Sequence, residues 1–203
     1  MMNPVAFFDT LSLSQRMTDL VEGSSRPELH LFSYASCLLS LYEGQPSADW
    51  GYDFISSENG LPFARDIDAA IDDALNLGLV HTHGALIALT ADGRGELAGL
   101  RDFEENKARE RFLGGAADAL LVLNPGTVRE AFNHDPAISY LRRGKHTDWL
   151  LTEPVVERLY ENFRQLRSAL EYDAKDLTVP LIGWLKYLLQ TGRALPDGSH
   201  AAN

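Results

Sequence analysis

The residue pattern points to a mainly α-helical fold carrying one small β-hairpin, on three observations. From Phe63 to Gly78 apolar residues recur at Ile67, Ile71, Ala74 and Leu75, the spacing of one helical face. Leu79 to Thr90 then gives two short apolar runs around His83-Gly84, the pattern of a tight hairpin. Further on, Val156, Leu159, Phe163, Leu166 and Leu170 are spaced 3, 4, 3 and 4, a seam that buries against another helix.

The elements follow in order. Asn3-Pro4 is a helix start, and Val5 to Val21 is a short helix or helix pair, broken at Gly23-Ser24-Ser25-Arg26-Pro27. Glu28 to Tyr42 is a helix with Leu29, Phe32, Ala35, Leu38, Leu39 and Tyr42 inward, stopped at Gly44. Trp50 to Ser57 is a short helix or an extended piece. Gly78 ends the helix from Phe63, and Thr90 caps another that carries Leu97 and Leu100. Asp92-Gly93-Arg94-Gly95 reads as the start of that helix, in close contact with the hairpin. Arg101 to Leu123 is one long or kinked helix, with Gly114-Gly115 as the kink. Asn124-Pro125-Gly126 is a turn, and Asp135-Pro136 splits two short helical pieces. Thr152 caps the seam helix to about Tyr172, and Leu177 to Thr191 is a helix apolar on nearly every side. Gly192 onward reads as a frayed tail.

Helix, hairpin, helix is how a wing is attached to its recognition helix, so residues 28–100 read as a winged-helix domain. Residues 1–27 form a helical segment before it, 101–192 a helical interaction region after it, and 193–203 a flexible tail. The recognition helix has the wrong charge for DNA. Arg65 stands against Asp66, Asp68, Asp72 and Asp73, a net of 1 − 4 = −3, and phosphate contacts need Lys and Arg.

The totals agree. The 203 residues include 18 Lys and Arg against 29 Asp and Glu, a net of −11, which argues against non-specific nucleic-acid binding as the main work. At 45% apolar the chain can build a core. The single Cys37 excludes an internal disulfide and a multi-cysteine metal site. No secretory signal is visible, and Val179 to Leu189, interrupted by Lys186, is too short to span a bilayer. The expectation is a cytoplasmic protein.

Little in the sequence carries chemistry. His81 and His83 lie two apart on a strand and face one side, yet no further ligands stand at a supporting spacing. The aspartate row lacks the calcium-loop pattern. There is no nucleophile elbow, phosphate loop or dinucleotide turn. No enzyme and no cofactor is expected. The one basic cluster, Arg142, Arg143, Lys145 and His146, suits a phosphate backbone or an acidic partner.

At Tyr52-Asp53-Phe54, Gly60-Leu61-Pro62-Phe63-Ala64-Arg65-Asp66-Ile67, Leu77-Gly78-Leu79-Val80 and Leu89-Thr90-Ala91-Asp92-Gly93 the chain resembles a broad winged-helix group. It looks most like the SocA-like antitoxin domains and the middle components of bacterial three-component ATPase defence systems. The resemblance covers residues 28–100. It implies a scaffold whose surface binds another protein, within a bacterial anti-phage defence or toxin-antitoxin operon.

The leading expectation is therefore a non-enzymatic adaptor that joins another protein subunit, with a coiled-coil ATPase as the candidate. Its partner-binding candidates are Asp66, Asp68, Asp72, Asp73, Val156, Leu159, Phe163, Leu166, Leu170 and Trp184. The alternative is a DNA-binding transcriptional regulator, a homodimer through its C-terminal helices, with Arg142, Arg143 and Lys145 on the backbone. A metal-dependent hydrolase built on His81 and His83 is the third reading.

Overall fold

The computed structural model describes residues 2–57, 59–142, 149–170 and 176–194, with side chains described at all of these except 142, 193 and 194. Within them the chain is mainly helical with small antiparallel sheets.

Helix α1 (Pro4–Val21) begins where the sequence signals it. Asn3 accepts hydrogen bonds from Val5 N at 3.0 Å and Ala6 N at 3.2 Å, and Pro4 occupies the first turn, where no donor is missed. It is one unbroken helix of 18 residues, ended by Glu22 in a left-handed conformation, φ 69°. Strand β1 (Ser24–Ser25) follows, then α2 (Arg26–Tyr42). Glu28 Oε2 accepts from Ser25 N at 2.7 Å and from the Ser25 hydroxyl at 2.8 Å, closing the first turn of α2.

The stretch Trp50 to Ser57 divides. A 3-10 turn (Ser47–Trp50) precedes β2 (Ile55–Ser56), which pairs with β3 (Pro62–Phe63) in a hairpin. Helix α3 (Arg65–Asn76) buries Ile67, Ala70, Ile71 and Ala74, and Gly78 at φ 71° ends it. Strands β4 (Val80–His83) and β5 (Leu86–Leu89) pair antiparallel across Gly84-Ala85. Gly84 alone of the two has positive φ, 60°, as a two-residue turn with Gly first requires. Strand β1 adds to the other edge of β5, giving the order β1-β5-β4.

Thr90 caps α4 (Ala91–Leu100), its hydroxyl accepting from Gly93 N at 3.0 Å. The chain then breaks at Arg101-Asp102-Phe103, and α5 (Glu104–Leu121) runs unbroken through Gly114-Gly115. These glycines therefore mark a close approach and not the expected kink. A Cβ at Gly115 would lie 2.6 Å from Leu177 Cβ. Asn124-Pro125-Gly126 opens a helix where a turn is expected: Asn124 caps α6 (Pro125–Asn133) by accepting from Gly126 N at 2.8 Å.

Then come α7 (Pro136–Arg142), α8 (Glu153–Leu170) and α9 (Thr178–Ala194). Thr152 holds α8 through its carbonyl, which accepts from Val155 N and Val156 N at 2.9 Å each, while its hydroxyl is buried without a partner. Gly192 lies inside α9, so the helix passes the point where the tail is expected to fray.

One continuous apolar core joins the elements. Helix α5 packs against α1, α2 and α9; α8 packs against α2, α7 and α9. Burying each large aliphatic side chain contributes about 1.5–3 kcal/mol, and α8 spends Val155, Val156, Leu159 and Phe163 this way. No helix among the described residues is long and apolar enough to cross a membrane.

Candidate functional site

The aspartate row of α3 is largely tied down by its own chain. Arg26, at the start of α2, donates to Asp68 Oδ1 at 2.7 Å and to Asp72 Oδ1 at 2.5 Å. Asn3 Nδ2 donates to Asp66 at 3.2 Å. His30 is buried beside them: its Nδ1 accepts from Ala64 N at 3.2 Å, which leaves the ring proton on Nε2, 3.5 Å from Asp68 Oδ1. Burial pulls His30 down to about 4, although Asp68 opposes the shift. With Arg26 counted, the net charge of this surface is 2 − 4 = −2. Three of the four aspartates, all named as partner-binding candidates, thus hold α3 against the N-terminus and α2. Asp72 stays exposed despite its ion pair, and Asp73 is half-buried.

The C-terminal seam also closes internally. Val156, Leu159, Phe163 and Trp184 are buried, and Phe163 meets Trp184 edge-on at 4.8 Å. Leu166 and Leu170 are half-buried, with Cδ1 atoms 3.4 and 3.8 Å from where a Cβ on Gly183 would stand. The spacing that marks a helix–helix seam is satisfied by α2 and α9 of the same chain, so these six side chains do not form an open partner surface. Arg143, Lys145 and His146 lie outside the described residues, and Arg142 is described only as the last backbone position of α7. His81 and His83 project from β4, an edge strand, and are exposed. Cys37 is fully buried, and burial pushes its thiol up.

A site that sequence reasoning missed is an apolar groove of about 480 Å³. Met17 and Val21 from α1, Leu31 from α2, Leu86 from β5, and Leu121 and Val128 from α5 and α6 contribute walls. Val21 is 45% exposed, and Leu20 and Val122, next in sequence to lining residues, are 56% and 68% exposed. Large solvent-facing apolar surface of this kind marks a binding site. Its charged lining is sparse: Glu28, already committed to Ser25, and Arg129. The only sequence signal was Leu20-Val21, an apolar pair at the exposed end of a helix.

Comparison with protein-family models, curated proteins and solved structures found no match to this chain.

Proposed function

We propose that this protein is a non-enzymatic winged-helix adaptor of the cytoplasm that joins another protein subunit, and that its apolar groove takes an apolar helix face of that partner. The winged-helix reading is supported by the order of α1, β1, α2, α3 and the β4–β5 hairpin, with β1 completing a three-stranded sheet. The α3 face that would meet a duplex exposes Arg65, Ala69, Asp72 and Asn76, and the wing tip exposes His81, Thr82 and His83. That surface offers one full positive charge where phosphate contact asks for several. The groove carries the proposal: it is apolar, half-open, and of the form that accepts an amphipathic helix. By the resemblance noted above, the partner belongs to a bacterial defence assembly, with a coiled-coil ATPase as the first candidate.

The test is co-expression with the proteins encoded beside this gene, followed by size-exclusion chromatography with mass measurement. A stable complex is expected, and Val21→Glu or Leu121→Asp should disrupt it while circular dichroism stays unchanged. A wild-type chain that forms no such complex, and instead shifts duplex DNA at low salt with steep salt dependence, overturns the adaptor in favour of a DNA-binding regulator.

A further inference from the structure

A second cleft, of about 390 Å³, opens between α7, α8, α9 and His134 at the end of α6, and shares no lining residue with the apolar groove. Its volume falls in the range of small-molecule sites, roughly 300–1,000 Å³. The protein carries −11, yet among the described residues no carboxylate lines this cleft. Besides Thr191, whose hydroxyl donates to the Tyr187 and Leu188 carbonyls, the polar residues that do are His134, Ser139, Tyr140, Arg158, Asn162 and Tyr187.

Arg158 is the full charge among them. It is exposed on α8, and no ion pair of its guanidinium occurs among the described residues. The nearest helical candidate to neutralise it, Glu161 one turn on, is committed elsewhere: its two oxygens accept from Arg164 and from Gln165 Nε2. Asn162, four residues after Arg158, shares its side of α8.

Two aromatic rings border the same space. Tyr187 stacks on the buried Trp184 at 5.3 Å with planes 21° apart, so its ring has a fixed support and an open side, 38% exposed. Tyr140 is 39% exposed. At the far end Gly192 leaves room for His134: any Cβ there would overlap the imidazole. Its lack of a side chain is what lets His134 reach the cleft wall.

We infer that this cleft binds a small phosphorylated aromatic molecule of the nucleoside-monophosphate class. Arg158 takes the phosphate as a two-pronged donor, the hydroxyls of Ser139 and Tyr140 and the amide of Asn162 supply further donors, and a tyrosine ring takes the base by stacking. The inference does not depend on the adaptor reading, because none of these residues lines the apolar groove.

Isothermal titration of the full chain with AMP, inorganic phosphate and adenosine tests it. AMP should bind with a Kd on the order of 10–100 μM, or about −5.5 to −7 kcal/mol, and adenosine should be at least tenfold weaker. Arg158→Gln, at an exposed position that leaves folding intact, should weaken AMP by roughly tenfold or more, the worth of a charge-assisted hydrogen bond. Tyr187→Leu, which removes the supported stacking ring, should weaken AMP while leaving phosphate unchanged. Absence of AMP binding at millimolar concentration, equal binding of adenosine and AMP, or an Arg158→Gln affinity equal to wild type would each overturn the assignment. Phosphate binding as tightly as AMP would overturn its aromatic part.

Discussion

Asp9 on α1 and Arg109 on α5, one hundred residues apart, meet as a buried two-pronged ion pair. Arg109 Nε donates to Oδ1 at 2.5 Å and Nη2 to Oδ2 at 2.6 Å. Asp9 is fully buried and the Arg109 side chain is 10% exposed. Tyr52 donates to the same Oδ2 at 2.5 Å, its hydroxyl meets that of Ser33, and the guanidinium lies 3.6 Å over the Trp50 ring. Burial pushes the Asp9 carboxyl up, against the pull of Arg109. Burial is the largest single influence on the guanidinium and works against it, but the charge and hydrogen bonds of Asp9 together with Tyr52 outweigh it and hold the cation on. The network fastens α1, α2 and the segment before β2 to the first helix of the C-terminal half.

Breaking one side of this pair should cost more than removing both. Arg109→Met leaves a buried carboxylate with no counter-charge, and a loss of about 3–5 kcal/mol is expected. In the triple variant Asp9→Leu/Arg109→Met/Tyr52→Phe no buried charge or hydroxyl of the set except Ser33 remains, and most of that loss should return. Urea unfolding followed by circular dichroism measures both. Equal destabilisation of the two variants would mean that the residues act through shape and not through charge.

Gly93 and Gly95 stand two residues apart in α4 and should respond oppositely to alanine. A Cβ at Gly93 would overlap the Leu79 carbonyl and come within 2.8 Å of Leu89 Cδ1. A backbone carbonyl cannot step aside as a side chain can, so Gly93→Ala should destabilise by about 1–3 kcal/mol. Nothing lies within 4 Å of a Cβ at Gly95, so Gly95→Ala should stabilise by about 0.5–1 kcal/mol through helix propensity. Melting temperatures of the two variants should move in opposite directions.

Features set by neighbouring residues were legible in advance. Asn3-Pro4 starts α1, Thr90 caps α4, Gly84 turns the hairpin, and Gly93 lies against the hairpin as its position implied. Periodicity also located the buried face of α8, but a 3-4 spacing says only that a helix is covered, not by what. The cover is α2 and α9 of the same chain. The same limit applies to the aspartates of α3, whose cation, Arg26, comes from the preceding helix. Neither cavity was visible, because each draws its walls from three or more elements and no local pattern links them. The β2–β3 hairpin escaped for another reason: strands of two residues leave too little alternation to read.

Asp135 should make the fold more stable in mild acid. It is fully buried, accepts from Tyr34 Oη at 3.0 Å and Ala137 N at 2.9 Å, and leaves Oδ2 without a hydrogen bond beside Trp184. Burial pushes its carboxyl up to about 6, with the Ala137 and Tyr34 hydrogen bonds opposing. A carboxyl raised in the folded state binds its proton more tightly there. Its stabilisation is complete below the ordinary value of 3.8 and is lost as pH rises through 6. The loss is about 3 kcal/mol at about 1.4 kcal/mol per unit. Asp135→Asn keeps an accepting oxygen and cannot ionise. Its stability relative to wild type should therefore rise as pH goes from 4 to 7.

His30 should work in the opposite sense over nearly the same window. Its folded value is pulled down to about 4 from 6.5 by burial, so the unfolded chain binds the proton first. The stabilisation from His30 is complete above 6.5 and is lost as pH falls through 4, again about 3 kcal/mol. Asp68 and Arg26 are the charges that face it, one favouring the imidazolium and the other opposing it. Between pH 4 and 6 the opposite pH dependences of His30 and Asp135 offset each other in the wild-type chain, and single substitutions should uncover them. His30→Gln should shift the urea midpoint, relative to wild type, progressively upward as pH falls from 6.5 to 4.5, whereas Asp135→Asn should shift it downward. Measured at pH 4.5, 5.5 and 6.5, a flat difference curve for either variant would show that its residue titrates in the folded protein as it does in the unfolded chain.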